Sequence, residues 1–326
     1  MAGPLLRAGV PGRAVAGLHA GGVRAERRGV RLPPPALWGA LALPPARRPP
    51  PRRSTRPRER RGGSDLAARV LVAIPAAVLA VTFIDLGGLP WALLLILFGS
   101  ACMYELYRLL DRWKPVPAVG LAALAAMVLS AHYGGQRQVL EVMVASVPVV
   151  FLAMLGRVHH GGATIAIAGT LFGILWIGTA FSHAELLRNL PHGGGITIDV
   201  LLGTFLGDTG AYVGGRLFGR RALAPSISPS KTVEGLFCGV LIAILAVFLA
   251  GLFQNTWMTQ THALELGLAV AVLGPIGDLF ESLVKRDAGS KDAGSLFGAH
   301  GGALDRLDSA LFTIVAGYYI WLGVVH

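Results

Sequence analysis

Long runs of apolar residues dominate the chain from about residue 66 to its end. A helix that spans a bilayer needs about 20 mostly apolar residues, and most of the runs approach that length. They predict nine membrane-spanning helices, although the third to fifth runs are short and rich in Ala, Gly and Val, which leaves eight or ten open. The predicted spans are 67–84, 89–107, 116–132, 139–156, 163–181, 196–213, 235–253, 264–284 and 308–325.

The overall composition agrees with a membrane protein and excludes other classes. Hydrophobic residues make up 53% of the chain and charged residues 14%, whereas soluble domains carry about 25% charged residues. So apolar a composition excludes a disordered chain. The two cysteines, Cys102 and Cys238, lie in apolar runs and are too few for a disulfide scaffold. We therefore expect an all-α polytopic membrane protein.

The net positive charge of the chain comes from its N-terminal segment. The formal net charge is +11, and residues 1–63 contain 14 Arg, no Lys and only two acids. This segment is also rich in Pro and lacks an apolar period, which predicts a disordered tail over 1–63 before a transmembrane domain over 64–326. No signal-peptide pattern is found, and a single Ser argues against a transit peptide. Contact with anionic lipid headgroups and an extension without function both remain open for the tail.

The distribution of basic residues between the loops predicts the orientation in the membrane. With nine spans, twelve Lys and Arg fall in the loops near 108–115, 157–162, 214–234 and 285–307, whereas the opposite loops contain only Arg137 and Arg188. Cytoplasmic loops carry the excess of Lys and Arg, so the N-terminus and these four loops are expected in the cytoplasm. Usage rich in Ala, Gly, Arg and Pro suggests a bacterial chain, and hence the bacterial cytoplasmic membrane.

Polar residues concentrate in the two longest of these basic loops and in the helices beside them. Asp208 lies inside the sixth run, and Asp278 lies inside the eighth beside Gly274 and Pro275. Acids inside a span are costly and usually face a cavity, a partner or a functional site. Carboxylates suit Mg²⁺, and the nearby basic, Ser and Thr side chains suit phosphates. These residues predict a cytoplasm-facing polar cavity for a Mg²⁺-bound nucleotide or a phospholipid headgroup.

Each of these signals also has a structural interpretation. Lys285 and Arg286 could be ordinary anchors at the membrane surface, and Asp208 could form a hydrogen bond between helices. Asp278 could pair with Lys285 or Arg306 and only hold helices together. Asp85 and Glu105 are interpreted as interfacial or interhelical residues, and Asp199 is interpreted as structural. The concentration of polar groups on one side of the membrane is what favours a functional site.

Two stretches in and beside the 285–307 loop resemble the signature of the phosphatidate cytidylyltransferases, also called CDP-diglyceride synthases. The first follows the pattern S-x-x-K-R-x4-K-D from Ser282 to Asp292, and the second follows H-G-G-x-x-D-R-x-D from His300 to Asp308. Upstream, Asp208-Thr209 and the segment Ser228 to Gly235 also look like motifs of that family. The motifs lie within 203–309, and Ala303 departs from the larger aliphatic residue that is usual at its position.

The resemblance implies a reaction of CTP with phosphatidate that gives CDP-diacylglycerol and pyrophosphate in phospholipid biosynthesis. It further implies a required Mg²⁺, a monovalent cation such as K⁺, and a homodimer within the lipid bilayer. The metal ligands expected from it are Asp278 and Asp305. The residues expected to be catalytic are Asp278, Asp305, Lys285, Arg286 and Arg306. Those expected to bind substrate are Asp208, Ser228, Ser230, Lys231, Thr232, Ser282, Lys291, His300, Gly301, Gly302 and Asp308.

Two other functions remain as alternatives. A CTP-dependent lipid or polyprenol kinase would also join a cytosolic nucleotide to a membrane substrate, but the motif from Ser282 to Asp308 argues against it. A transporter would place its site near the middle of the membrane between inverted repeats, and no repeat is found in the sequence. A nucleic-acid partner is not expected, because the basic charge lies in the tail and outside the apolar domain.

Overall fold

The computed structural model describes residues 75, 77–157, 161–294 and 302–325 of the 326-residue chain. These residues are mostly helical, as expected for an all-α membrane protein. Within this described part of the chain, six helices are long and apolar enough to cross a membrane, and three apolar helices are shorter. The six are Gly88–Leu109, Gln136–Leu155, Ala163–Asn189, Gly193–Phe218, Val233–Phe253 and Gln260–Asp287, and the three are Ala77–Leu86, Pro117–Tyr133 and Ala310–Val325. The predicted tail lies outside the described residues, as do residues 67–74 of the first predicted span.

The helices are numbered in chain order. They are α1 (Ala77–Leu86), α2 (Gly88–Leu109), α3 (Pro117–Tyr133), α4 (Gln136–Leu155), α5 (Ala163–Gly173), α6 (Thr179–Asn189), α7 (Gly193–Phe218), α8 (Val233–Phe253), α9 (Gln260–Asp287), α10 (Leu304–Leu307) and α11 (Ala310–Val325). A π-helical turn, Ile174–Gly178, joins α5 to α6 within one continuous rod. A short 3₁₀ turn, Asp111–Trp113, follows α2.

A small β-hairpin interrupts the helical fold between α7 and α8, where the sequence indicated only a loop. The strands β1 (Ala222–Ala224) and β2 (Ser228–Thr232) pair in an antiparallel manner. They are too short to produce a recognisable alternation of apolar and polar residues. The hairpin leads directly into α8, because the Thr232 hydroxyl accepts a hydrogen bond from the Gly235 backbone N–H at 3.1 Å and caps that helix. The backbone N–H of Arg220 donates to the Glu234 carboxylate at 2.9 Å.

Glycines allow α7 and α8 to pack closely along most of their length. Gly203, Gly207, Gly210 and Gly214 recur every three or four residues on α7, and a Cβ added to any of them would press against α8. From the other side, a Cβ on Gly239 of α8 would lie 2.8 Å from the Gly207 carbonyl oxygen. Small residues are typical of helix interfaces in membranes, because they let the backbones approach each other.

The site described below depends on the helices that pack around this pair. Helix α9 packs against α8 and α7, and α11 packs against α9, α6 and α7. The short helix α10 lies against α2. This arrangement brings the end of α9, the start of α11 and the β-hairpin to the same end of the bundle.

We predict that Gly239→Ala destabilises the protein, because the added Cβ meets backbone and Ala211 atoms that cannot easily move. Overpacking of this kind costs about 1–3 kcal/mol, which should lower the melting temperature of the detergent-solubilised protein. Gly323→Ala in α11 is the matched control, since its Cβ would meet no atom of the described residues within 4 Å. Equal melting temperatures for the two variants would contradict the close packing of α7 on α8.

Candidate active site

Three carboxylates from two segments meet at one end of the bundle. Asp278 and Glu281 lie three residues apart in α9 and so share a face of that helix. Asp308 precedes α11, which packs against α9. One oxygen of each of these three side chains lies within 4.8 Å of the others. Gly277 permits this approach, because a Cβ there would lie 2.7 Å from the Asp308 carbonyl oxygen. We call Asp278, Glu281 and Asp308 the carboxylate cluster.

Two lysines pair with members of the carboxylate cluster. Lys231, at the end of the β-hairpin, forms an ion pair with Asp278. Lys285 lies one turn after Glu281 on α9, and its Nζ is 2.5 Å from Glu281 Oε2 and 2.7 Å from Asp305 Oδ1. Both lysines are largely shielded from solvent. The pairs offset part of the cost of burying charge away from water.

Asp305 sits in a cradle of hydrogen-bond donors next to the carboxylate cluster. It accepts the backbone N–H of Gly302 at 2.9 Å and that of Ala293 at 3.0 Å, in addition to the ammonium of Lys285. Burial by itself would raise the pKa of Asp305, but Lys285 and the two backbone donors outweigh it and hold that pKa below its usual value. Asp305 is therefore an ionised group whose oxygens already have several partners.

Asp208 on α7 joins the same site through Ser309. The Ser309 hydroxyl donates to Asp208 Oδ1 at 3.3 Å, and the Ser309 backbone N–H donates to Asp308 Oδ1 at 2.8 Å. Asp208 thus forms the hydrogen bond between helices that the structural interpretation anticipated. The same bond places its carboxylate beside the carboxylate cluster.

The donor set of the carboxylate cluster fits a hard divalent cation. Glu281 is fully buried, and its Oε1 has no hydrogen-bond partner among the residues that the structure describes. An orphaned buried oxygen is costly unless a cation or donor compensates it. Mg²⁺ binds oxygen ligands at about 2.1 Å, so that opposite ligands lie about 4.2 Å apart. The spread of these oxygens is close to that span.

The structure places the two metal ligands predicted from sequence differently. Asp278 is a member of the carboxylate cluster, whereas Asp305 lies in its own cradle beside Glu281 and shares Lys285 with it. Asp278 forms an ion pair with Lys231, whereas the purely structural interpretation paired it with Lys285 or Arg306. Glu281 is absent from the predicted site residues. Its signal was the same as that of Asp278, an acid inside an apolar helix, strengthened by a lysine four residues later.

The remaining predicted residues lie around this centre or outside the described part of the chain. Ser228 and Ser230 belong to β2, while the Thr232 hydroxyl is engaged in capping α8. Arg286 donates to the Ile227 carbonyl oxygen at 3.1 Å and so ties α9 to the hairpin. Ser282 is half-buried, whereas Lys291 and Arg306 are exposed. Outside the described residues lie His300 and Gly301.

Comparison with known proteins gives a consistent result over the apolar domain. Residues 67–323 match the model of a family described as the cytidylyltransferase family. The chain is 31% identical over 266 residues to the phosphatidate cytidylyltransferase of Bacillus subtilis strain 168, which covers 78% of this chain and 97% of that protein. It is 30% identical over 252 residues to the phosphatidate cytidylyltransferase of Staphylococcus epidermidis strain RP62A, and this match covers 76% of this chain and 96% of that protein.

We predict that Lys285→Met lowers the free energy of unfolding by about 3 kcal/mol, because removing one partner strands the buried Glu281 and Asp305 charges. The double variant Lys285→Met/Glu281→Gln should regain part of that loss, since it also removes the stranded Glu281 charge, while Asp305 keeps its two backbone donors. Lys291→Met is the control, because Lys291 is exposed and surface changes stay within about 0.5 kcal/mol. Thermal unfolding in detergent measures all three, and no recovery in the double variant would contradict the pairing.

Proposed function

Because the chain belongs to the cytidylyltransferase family, we propose that its carboxylate cluster is the place where CTP and phosphatidate react. The protein is an integral membrane nucleotidyltransferase of phospholipid biosynthesis that forms CDP-diacylglycerol and pyrophosphate. One observation carries the assignment of the site. The motif segments around Lys231, Lys285 and Asp305 converge on three carboxylates that are shared by α9 and the start of α11.

The reaction needs electrostatic help more than a base. A phosphate oxygen of phosphatidate attacks the α-phosphorus of CTP, the bond from that phosphorus to the bridging oxygen of the β-phosphate breaks, and pyrophosphate leaves. The attacking phosphate is already an anion, so no proton must be removed from it. The barrier lies in bringing two anions together and in stabilising the charge that develops on the leaving group.

We propose that Asp278, Glu281 and Asp308 hold Mg²⁺, with Asp305 as the nearest further carboxylate. When bound, Mg²⁺ would neutralise charge on the phosphates of CTP. The support is the closeness of the three oxygens and the orphaned Glu281 Oε1. Compared with the sequence prediction, this set keeps Asp278, adds Glu281 and Asp308, and places Asp305 beside the metal instead of among its ligands. A monovalent cation such as K⁺ beside Mg²⁺ stays a proposal from the family resemblance.

The basic residues would hold the substrate phosphates. Lys231 and Lys285 both reach the carboxylate cluster and would lie beside a phosphate bound there, while the exposed Lys291 and Arg306 would meet the nucleotide at the rim. Arg286 would act indirectly, because its guanidinium is engaged with the hairpin backbone. Ser228, Ser230, Ser282, Asp208 and the segment His300, Gly301 and Gly302 stay proposed contacts to substrate.

The membrane topology is a further part of the proposal. The three shorter apolar helices would span the bilayer together with the six long ones, with the N-terminus and the site on the cytoplasmic side. CTP is available there, and the basic loops support that orientation. The lipid substrate would enter from the bilayer, and two chains would associate as a homodimer.

The direct test of the function is an assay of the purified full chain with CTP, phosphatidate and Mg²⁺. CDP-diacylglycerol and pyrophosphate are the expected products. A parallel reaction with a polyprenol in place of phosphatidate tests the kinase alternative. Phosphorylated polyprenol without CDP-diacylglycerol would overturn the assignment.

We predict that Asp278→Asn and Asp308→Asn each reduce the rate at least about a hundredfold, the scale of losing one key electrostatic group. Neither should lower the melting temperature much, because each removes a carboxylate from a crowded cluster, and Lys231, the partner of Asp278, is partly exposed to solvent. Asp305→Asn should reduce the rate as well. Unlike the other two variants, it should also lower the melting temperature, because Asp305 accepts hydrogen bonds from Lys285 and from two backbone N–H groups.

The controls for these variants use metal-dependent stability and a distant acid. Mg²⁺ alone should raise the melting temperature of the wild-type chain but not that of Asp278→Asn. Asp199→Asn changes a buried acid that is bonded to Gln254 instead, and it should keep the wild-type response to Mg²⁺. If Asp278→Asn retains the full rate and the Mg²⁺ response, Asp278 is not a ligand.

We predict that the loop before α9 faces the outside and the β-hairpin faces the cytoplasm. In a background with Cys102 and Cys238 replaced by Ala, a membrane-impermeant thiol reagent should label Gln260→Cys in intact cells. It should label Ser226→Cys only after lysis, although both positions are exposed in the fold. The reverse labelling pattern would place the site on the opposite side of the membrane.

A further inference from the structure

Glu105 is a buried acid that the reaction as described does not use. It lies on α2, far along the chain from the motif residues, and is only 4% exposed. Its Oε2 accepts the backbone N–H of Leu304 at 3.0 Å, a contact across 199 positions of the sequence. Its Oε1 is buried and has no hydrogen-bond partner within the described ranges. A carboxylate in such a place needs a reason, because burying it costs free energy.

The Glu105 carboxylate is enclosed by two glycines from the polar loop. A Cβ added to Gly294 or to Gly302 would overlap its carboxylate atoms. The backbone of both segments therefore lies directly against the side chain. Glycine fits at both positions because the acid lies so close that a Cβ would overlap it. The reason is this close approach and not an unusual backbone conformation.

The same two backbone segments hold Asp305. Ala293 and Gly302 donate their N–H groups to the Asp305 carboxylate. Glu105 thus binds, from the α2 side, the segments that cradle Asp305. Asp305 in turn pairs with Lys285, which also pairs with Glu281 of the carboxylate cluster. A continuous set of contacts leads from Glu105 to the carboxylate cluster.

We propose that Glu105 is a positioning residue for the transfer reaction. It fixes residues 293–294 and 302–304 against α2, so that Asp305 meets Lys285 and keeps the ammonium beside the carboxylate cluster before substrate arrives. Its effect on catalysis rests on the proposed function, whereas its effect on the loop does not. Glu105 itself touches neither substrate nor metal in this proposal.

The first test measures the loop directly. Hydrogen exchange followed by mass spectrometry on the full chain in detergent should show at least about tenfold faster exchange for residues 302–309 in Glu105→Gln, because weakening the carboxylate contact exposes the Leu304 amide. Glu185→Gln is the matched control. Glu185 is also fully buried with an unpartnered oxygen among the described residues, but it pairs with His132 at the other end of the bundle. Equal exchange in wild type and Glu105→Gln would overturn the proposal.

A second, independent test enlarges the side chain at one position and shortens the side chain that it would meet. Gly294→Ala should disturb the loop, because its Cβ overlaps the Glu105 carboxylate. Combining it with Glu105→Asp shortens the acid by one methylene and makes room for that Cβ. The double variant should exchange more slowly at residues 302–309 than Gly294→Ala alone. Simple addition of the two single effects would show that the positions do not act through this contact.

Kinetics then test the link to catalysis. Glu105→Gln should lower kcat at least about tenfold and raise KM for CTP by a smaller factor, because Lys231 and the hairpin are untouched although Gly302 and Arg306 lie in the loosened segment. Glu185→Gln should keep the wild-type kcat even if its melting temperature falls. If the wild type is active and Glu105→Gln keeps the full kcat, the positioning role is overturned but the proposed function is not. A wild-type chain that makes no CDP-diacylglycerol would overturn the proposed function, and the exchange data would still decide whether Glu105 holds the loop.

Discussion

The placement of several carboxylates inside an apolar helix bundle is the constraint on which the rest of the structure depends. An isolated charge in such surroundings is strongly disfavoured, and yet Asp278, Glu281 and Asp308 lie within a few ångströms of one another. Lys231 and Lys285 compensate part of that charge. Among the described residues, Glu281 Oε1 is left without a hydrogen-bond partner, and the proposed metal would compensate it.

The scaffold meets this constraint by bringing cations and backbone donors to the acids. The β-hairpin places Lys231 opposite α9, and the Arg286 contact to Ile227 ties the hairpin to that helix. Close packing at glycines shortens the distances between helices, as at Gly277 beside Asp308. At Gly294 and Gly302 there is no side chain, so the backbone itself lies against the Glu105 carboxylate. The polar loops are therefore part of the packed structure around the site.

The same charge distribution suits a reaction between two anions. In the proposed function, the fixed cations and a divalent ion, when bound, would stabilise phosphate charge without reorganising during the reaction, which is the usual source of catalysis in phosphoryl and nucleotidyl transfer. In the proposed topology, the bundle would keep the lipid substrate in the bilayer while the site opens to a water-soluble nucleotide. In this scheme Glu105 would serve the chemistry from a distance by holding Asp305 and Lys285 in register.

The sequence by itself determined the class of the protein, the positions of its apolar helices and the polar segments that matter. Those properties depend on composition and local spacing, so Asp278 and Lys285 could be placed on one face of α9 from their numbers alone. Only the tertiary structure decided which carboxylates meet. Local spacing says nothing about the distance between helices, which depends on glycine faces such as that of α7. Glu281 therefore escaped notice, Asp305 separated from the carboxylate cluster, and the contact from Glu105 to Leu304 could not be foreseen.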